Sequence, residues 1–397
     1  MKSWILAALL CSSAIARADE VTLDQVLAAA ARSPAAPITA YELRSAEARV
    51  AAAAAWPAPT IRLETNRVTA KLAAGVAVPL PILGTIGAAK REATARVNLV
   101  RAEGMVGVRE LRHRVVLAWL ALARADADAA ALEIAATQAV ELERIAQGRL
   151  DAGAGAEVDV TIAKAARIRA ELAVAGAKHT QAASAAQLAA ELGWDPLREL
   201  HATGALPGGV AALSTLRASL AAHPERQILL QRIAEGEAIE ATASAQRRPG
   251  LAVEVLGSFW DPTEPRTDVM VGLSIELPIF SRIGDQLRAA HAQTTAERAR
   301  LAAGDARLIG ELFAAYRRWE AAMERLTVLE RDVLPAQDRA AKLASQAYRE
   351  GARDLASALL VERDRTAVTS EIADAKVDLA TAWIELQLAA GGEPGAH

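Results

Sequence analysis

The stretch Leu80-Pro81-Ile82-Leu83-Gly84-Thr85-Ile86-Gly87 returns later in the chain as Leu277-Pro278-Ile279-Phe280-Ser281-Arg282-Ile283-Gly284. Both copies keep a Leu-Pro-Ile start and an Ile-Gly end, and both sit where an alternating apolar pattern gives way to a helical one. Proline removes a ladder donor and so belongs at a strand's end, while the Ala/Arg-rich run after each final glycine has the composition of a long helix. Each copy therefore predicts a strand that stops and a helix that starts.

The flanks repeat as well. Ser33-Pro34 and Trp56-Pro57-Ala58-Pro59 answer to His223-Pro224 and Arg247-Arg248-Pro249. Leu150-Asp151-Ala152-Gly153 answers to Arg349-Glu350-Gly351, and Leu192-Gly193 to Ala390-Gly391. The offsets stay at roughly 190–200 residues, which marks an internal duplication. The first repeat spans 19–205, with strands at about 59–81 and a helical hairpin at about 83–193; the second spans 206–397, with strands at about 250–280 and a hairpin at about 282–391.

Hydrophobic residues make up 52% of the chain but aromatics only 3%, because alanine supplies the apolar content. Alanine lets helices approach closely yet buries little area, so extended contacts or other chains must supply stability. A net charge of −3 gives no electrostatic case for binding nucleic acid. Residues 1–18 read as a secretory signal peptide: Lys2, an apolar run from Trp4 to Ala16, then Ala16-Arg17-Ala18 as the small-x-small cleavage site. The one cysteine, Cys11, lies inside it, and Leu10 is too large for a lipoprotein cleavage box, so no lipid anchor is expected.

Past the Pro57-Ala58-Pro59 breaker the period changes. Ile61, Leu63 and Thr65 alternate with Arg62, Glu64 and Asn66, and Leu72, Ala74, Val76 and Val78 alternate with smaller or polar neighbours. The second half repeats this with Leu251, Val253 and Val255, then Val269, Val271, Leu273 and Ile275. Strands of about ten residues with one apolar face match those that cross a bilayer when tilted, and Phe259, Trp260 and Phe280 fall where an aromatic girdle would lie. On this reading Glu64, Glu254 and Glu276 face the lumen.

A helix from about 87 to 147 would extend roughly 90–100 Å, longer than an ordinary domain is wide. It turns at Asp151–Gly155 into a return helix from about 158 to 192; the second half repeats the hairpin, with a kink expected at Pro335. Four candidate membrane strands are too few to close a barrel, and lipid does not tolerate open edges. Several chains must share one barrel. Two copies would bring eight strands and a filled lumen, three would bring twelve and leave an aqueous path.

The opening Val21-Thr22-Leu23-Asp24, Pro57-Ala58-Pro59, the two Leu-Pro-Ile junctions, the two hairpin turns and the Leu-Gly ending together resemble the TolC-like outer-membrane efflux proteins. Phe280–Gly284 and Ala88–Arg91 look most like the CzcC-type heavy-metal branch, although Ser281-Arg282-Ile283 departs from that branch's usual turn. The resemblance implies a mainly α, internally duplicated chain. Its long antiparallel hairpins would form a trimeric periplasmic α-barrel continuous with a shared 12-stranded transmembrane β-barrel. In that family one long helix runs beside two shorter ones stacked end to end. Here the short ones, at about 20 and 35 residues, nearly match the long one at about 60.

The resemblance also places sites. Arg149, Leu150, Gly153, Tyr348, Arg349 and Gly351 are the adaptor-docking tips, and Asp159, Tyr348 and Arg353 the periplasmic gate, with Ser357 at the second-half position matching Asp159. A threefold ring of Asp159 would favour cations. The implied partners are two further copies of the chain, a periplasmic adaptor, an inner-membrane transporter of RND type and outer-membrane lipid. No catalytic, cofactor or metal residues are expected: His113, His179, His201, His223 and His291 are scattered, and neither P-loop nor G-x-S-x-G occurs. The leading expectation is a passive outer-membrane channel for metal cations or drugs. The alternatives are the exit duct of a type I protein secretion system and a non-conducting periplasmic coiled-coil protein.

Overall fold

The computed structural model describes residues 19–66, 71–206, 209, 212–260, 268–278 and 283–393. The expected signal peptide, Phe280 and the Ser281-Arg282 departure lie outside the described residues. A short strand β1 (Asp19–Val21) leads into α1 (Leu23–Ala30). Thr22 caps α1 in a reciprocal box with Gln25, so the Val-Thr-Leu-Asp opening starts a helix for the reason its sequence suggests. Then come α2 (Ile38–Ala54), β2 (Thr60–Asn66), β3 (Lys71–Leu80), α3 (Thr85–Asp151) and α4 (Glu157–Leu192). The second half follows β4 (Leu200–Ala202) with α5 (Leu213–Ser219), α6 (Pro224–Ala245), β5 (Gly250–Trp260) and β6 (Asp268–Glu276). It ends in α7 (Ile283–Val328), α8 (Leu334–Arg349) and α9 (Leu355–Ala389).

The duplicated order is thus helix, two strands, long helix, return helix in both halves. Helix α3 has 67 residues, about 100 Å at 1.5 Å per residue, against 17 and 36 for α2 and α4. The long helix therefore outruns the 60 residues expected and is not fully matched by its two short partners. Where Pro335 predicts a kink, a five-residue π-helical turn, Leu329–Val333, joins α7 to α8. Proline lacks the amide for the regular ladder and its ring crowds the preceding turn, and a widened turn accommodates both. Helices α2 and α4 pack on α3, and α6 and α9 on α7; α3 also packs on α6 and α9, so the halves interlock.

Strands β2, β3, β5 and β6 form one antiparallel sheet in that order, with β2 and β6 as its edges. The register puts Ile61, Leu63, Val76, Val78, Val253, Val255, Val271 and Leu273 on one face. That face is bare in the single chain: Ile61 is 77% and Leu273 62% exposed. Phe259 and Trp260 are the last two residues of β5, at the end where a girdle was expected.

Burial is divided along the rod. The main core surrounds Trp119, whose indole N–H donates to the Val21 carbonyl at 3.0 Å, with Leu188, Leu312, Trp383 and Leu386. Strands β1 and β4 pair in parallel here and tie the start of the first repeat to its end. Two small clusters lie further along, one at the π-turn (Leu329, Ile372, Ala375) and one at the hairpin tips. No described helix is long and apolar enough to cross a membrane.

Candidate functional site: the hairpin tips

Both hairpins close by the same backbone device. The Gly153 amide donates to the Leu150 carbonyl at 2.9 Å and the Ala154 amide to Arg149 at 2.9 Å; at the second tip Gly351 donates to Tyr348 at 3.1 Å and Ala352 to Ala347 at 2.8 Å. Gly153 (φ 71°) and Gly351 (φ 79°) occupy the left-handed position this helix ending requires. The repeat thus aligns Leu150 with Tyr348 and Arg149 with Ala347.

The side chains do not repeat. Tyr348 is buried, 1% exposed, among Leu142, Ile145, Ala146, Ala163 and Leu355, which come from both hairpins. Arg149 reaches across from the first tip: its guanidinium lies over the Tyr348 ring at 4.9 Å, one arm donates to the Tyr348 carbonyl and the other to the Ala154 carbonyl at 3.2 Å. Arg349 points the opposite way, 3.5 Å from Glu141 on α3. Two cations therefore cross between the tips, one inside the joint and one on its surface.

Asp159 lies half-buried in the first turn of α4, where the helix N-terminus favours its charge. It acts on Tyr348: burial first, then the Asp159 charge, push the phenol above its ordinary value, while Arg149 partly opposes them. Among the described residues the buried Tyr348 hydroxyl has no hydrogen-bond partner. Arg353 is exposed, and among the described residues it forms no ion pair with Asp159. At the matching second-half position Ser357 donates to Asp354, the cap of α9, from its hydroxyl and, at 3.1 Å, from its amide; those bonds, the hydroxyl's first, hold the Asp354 carboxyl below its usual range.

The expected tip and gate residues therefore converge in part. Leu150, Gly153, Arg349 and Gly351 line the outer end of the hairpins, and the charge of Asp159 reaches the Tyr348 phenol inside it. Of the expected docking residues, Tyr348 is buried in the joint and Arg149 is engaged with it.

In the sheet, Glu64, Glu254 and Glu276 share the face opposite the apolar one, as alternation predicts. Among the described residues no group of three His, Cys, Asp or Glu side chains is placed to hold a metal ion.

The family model described as outer membrane efflux protein matches residues 217–392. No curated protein matches the chain in sequence. Among solved structures, the outer membrane protein VceC from Vibrio cholerae is similar over 93% of this chain and 96% of its own, at 18% identity and a TM-score of 0.74. The outer-membrane channel OprN aligns over 93% and 90% at 22% identity and 0.75. CusC, solved in conformations that accompany folding and transmembrane channel formation, aligns over 93% and 92% at 15% and 0.77.

Proposed function

We propose that this chain, whose residues 217–392 match the outer membrane efflux protein model and which carries the fold of outer-membrane channels over nearly its whole length, is the passive exit duct of a tripartite efflux system. Three copies pool their sheets into a 12-stranded barrel in the outer membrane, and their hairpins form a periplasmic tunnel. The observation that carries this reading is the four-stranded sheet with one bare apolar face and two open edges. Such a sheet is tolerated neither in water, where the face is too large an apolar patch, nor alone in lipid, where the edges are unsatisfied.

The tips dock a periplasmic adaptor through Leu150, Gly153, Arg349 and Gly351, and an inner-membrane transporter of RND type supplies the energy and delivers metal cations or drugs. Asp159, Tyr348 and Arg353 form the gate at the tunnel mouth. Asp159 and Tyr348 already interact within one chain, whereas the exposed Arg353 is free to meet a carboxylate on a neighbouring copy.

The test is purification from outer membranes in detergent, sizing, and recording in planar bilayers. A trimer that conducts is the expected result. A monomer that stays soluble without detergent overturns the reading.

A further inference from the structure

Arg62 and Glu254 form an ion pair at 2.8 Å although they stand on β2 and β5, which are not neighbours. Strand β3 lies between them, so the two side chains together bridge two strand spacings, about 10 Å. They can do so because, at the level of the pair, β3 presents only Ala73, Gly75 and Ala77 on that face, with Pro79 below and Lys71 above. Gly75 has no room for more: a Cβ there would fall 2.6 Å from the Val255 carbonyl oxygen and 2.8 Å from Leu256 Cγ. A larger residue on β3 would stand in the way of the strut.

The register gives the heights of the charges. Glu276 lies opposite Gly250 at the foot of the sheet, Glu254 follows four residues further along β5, and Arg62 and then Glu64 come above it. Arg62 is therefore the cation between carboxylates, and it is spent on one of them. Glu254 is 15% exposed in its side chain and Arg62 48%, so the carboxylate is largely covered while the arginine paired with it stays open to solvent. Glu64 and Glu276 remain exposed.

From this we propose that the Arg62–Glu254 strut sets the charge selectivity of the barrel lumen. Arg62 masks Glu254, so the barrel's own cation preference comes from Glu64 and Glu276, with Lys71 and Asp268 offsetting each other in charge at the far end of the same face, and stays modest beside that of the Asp159 ring at the other mouth. The inference rests on the shared-barrel reading, which turns one strut per chain into a ring of three at one level. Removing either partner then has opposite consequences. Arg62→Gln uncovers three carboxylates, and Glu254→Gln frees three guanidinium groups.

The experiment is the reversal potential of wild type, Arg62→Gln and Glu254→Gln channels under a KCl gradient. It is best run near 0.1 M, where charges act over about 10 Å, and repeated near 1 M, where they act over about 3 Å. The expected result is a several-fold rise in the cation-to-anion permeability ratio for Arg62→Gln and a fall below wild type for Glu254→Gln, both shrinking at high salt. A strut that merely braces the hairpins would lower the heat resistance of both trimers alike. Potentials that stay put, or that move in the same direction in conducting channels, overturn the inference alone. A wild-type trimer with no unit conductance overturns the duct and the inference with it.

Discussion

The two hairpin tips have the same backbone and different side chains, and the difference shows what the duplication has become. Each tip ends its outgoing helix with a left-handed glycine and the same pair of amide bonds. Yet the first tip contributes Arg149 and Asp159 where the second has Ala347 and Ser357, and the second contributes Tyr348 where the first has Leu150. The arginine and the aspartate act on the tyrosine. Divergence has turned two equal hairpins into the two sides of one joint. The shafts differ too: α3 runs unbroken, whereas its counterpart is interrupted by the π-turn before Pro335.

The largest effect should come from emptying the joint. Tyr348→Ala removes a ring that is 1% exposed, and large-to-small changes at such sites cost about 3–5 kcal/mol. Leu150→Ala, at the matching but half-buried position, should cost roughly 1–2 kcal/mol. Hydrogen exchange of the amides around residues 142–163 and 341–359 measures both. Equal losses would mean that the tips are equivalent after all. Tyr348→Phe sharpens the contrast: among the described residues the buried hydroxyl has no partner, so its removal should leave exchange no faster, and slower if the unpaired hydroxyl costs stability.

How much of this was legible in the sequence follows from which signals are local. Alternation of Ile61, Leu63 and Val76 with Arg62, Glu64 and Ala77 fixed the two faces of the sheet before any register was known. Gly153 and Gly351 marked the turns because few other residues take a positive φ, and Pro335 marked the break in the long helix. Strands β1 and β4 were invisible because three residues hold no period. The burial of Tyr348 was hidden for another reason: it depends on a partner hairpin nearly two hundred residues away, and no local pattern encodes that.

A second contrast between the halves lies at the other end of the rod, where His223 stands in the place of Ser33. The His223 ring accepts from the Glu225 amide at 3.2 Å with Nδ1, and its Nε2 meets the Leu388 carbonyl at 3.1 Å, stitching the start of α6 to the end of α9. Burial, helped by Arg109, lowers its pKa below the ordinary 6.5, although the Leu388 bond opposes this. The folded state therefore prefers neutral His223. This contribution is fully present at pH 7 and above, and is lost as pH falls below about 6.5, where the unfolded chain takes up the proton first. His113, lowered by burial against the pull of Glu385, acts in the same direction. The protein's melting temperature should fall from pH 7.5 to pH 5, and His223→Gln should flatten that slope while Ser33→Ala leaves it alone. A slope unchanged in His223→Gln would assign the effect elsewhere.

The smallest effect is expected at the second crossing cation. Arg349 reaches Glu141 at 3.5 Å, but Arg144 already holds both oxygens of that carboxylate, at 2.8 and 2.7 Å. The Glu141 carboxyl is kept below its usual range first by the Arg144 hydrogen bond, with Arg349 the last contributor. With the Arg349 side chain 61% exposed, a further charge at that distance adds little in water. Arg349→Gln should thus change tip stability by no more than about 0.5 kcal/mol, and a double-mutant cycle with Glu141→Gln should return a coupling no larger than that. Arg149 differs because its guanidinium is fixed by a ring and two carbonyls at once. If the two arginines proved equally costly to remove, the inside and the outside of the joint would be alike, and its asymmetry would not be what holds the tips together.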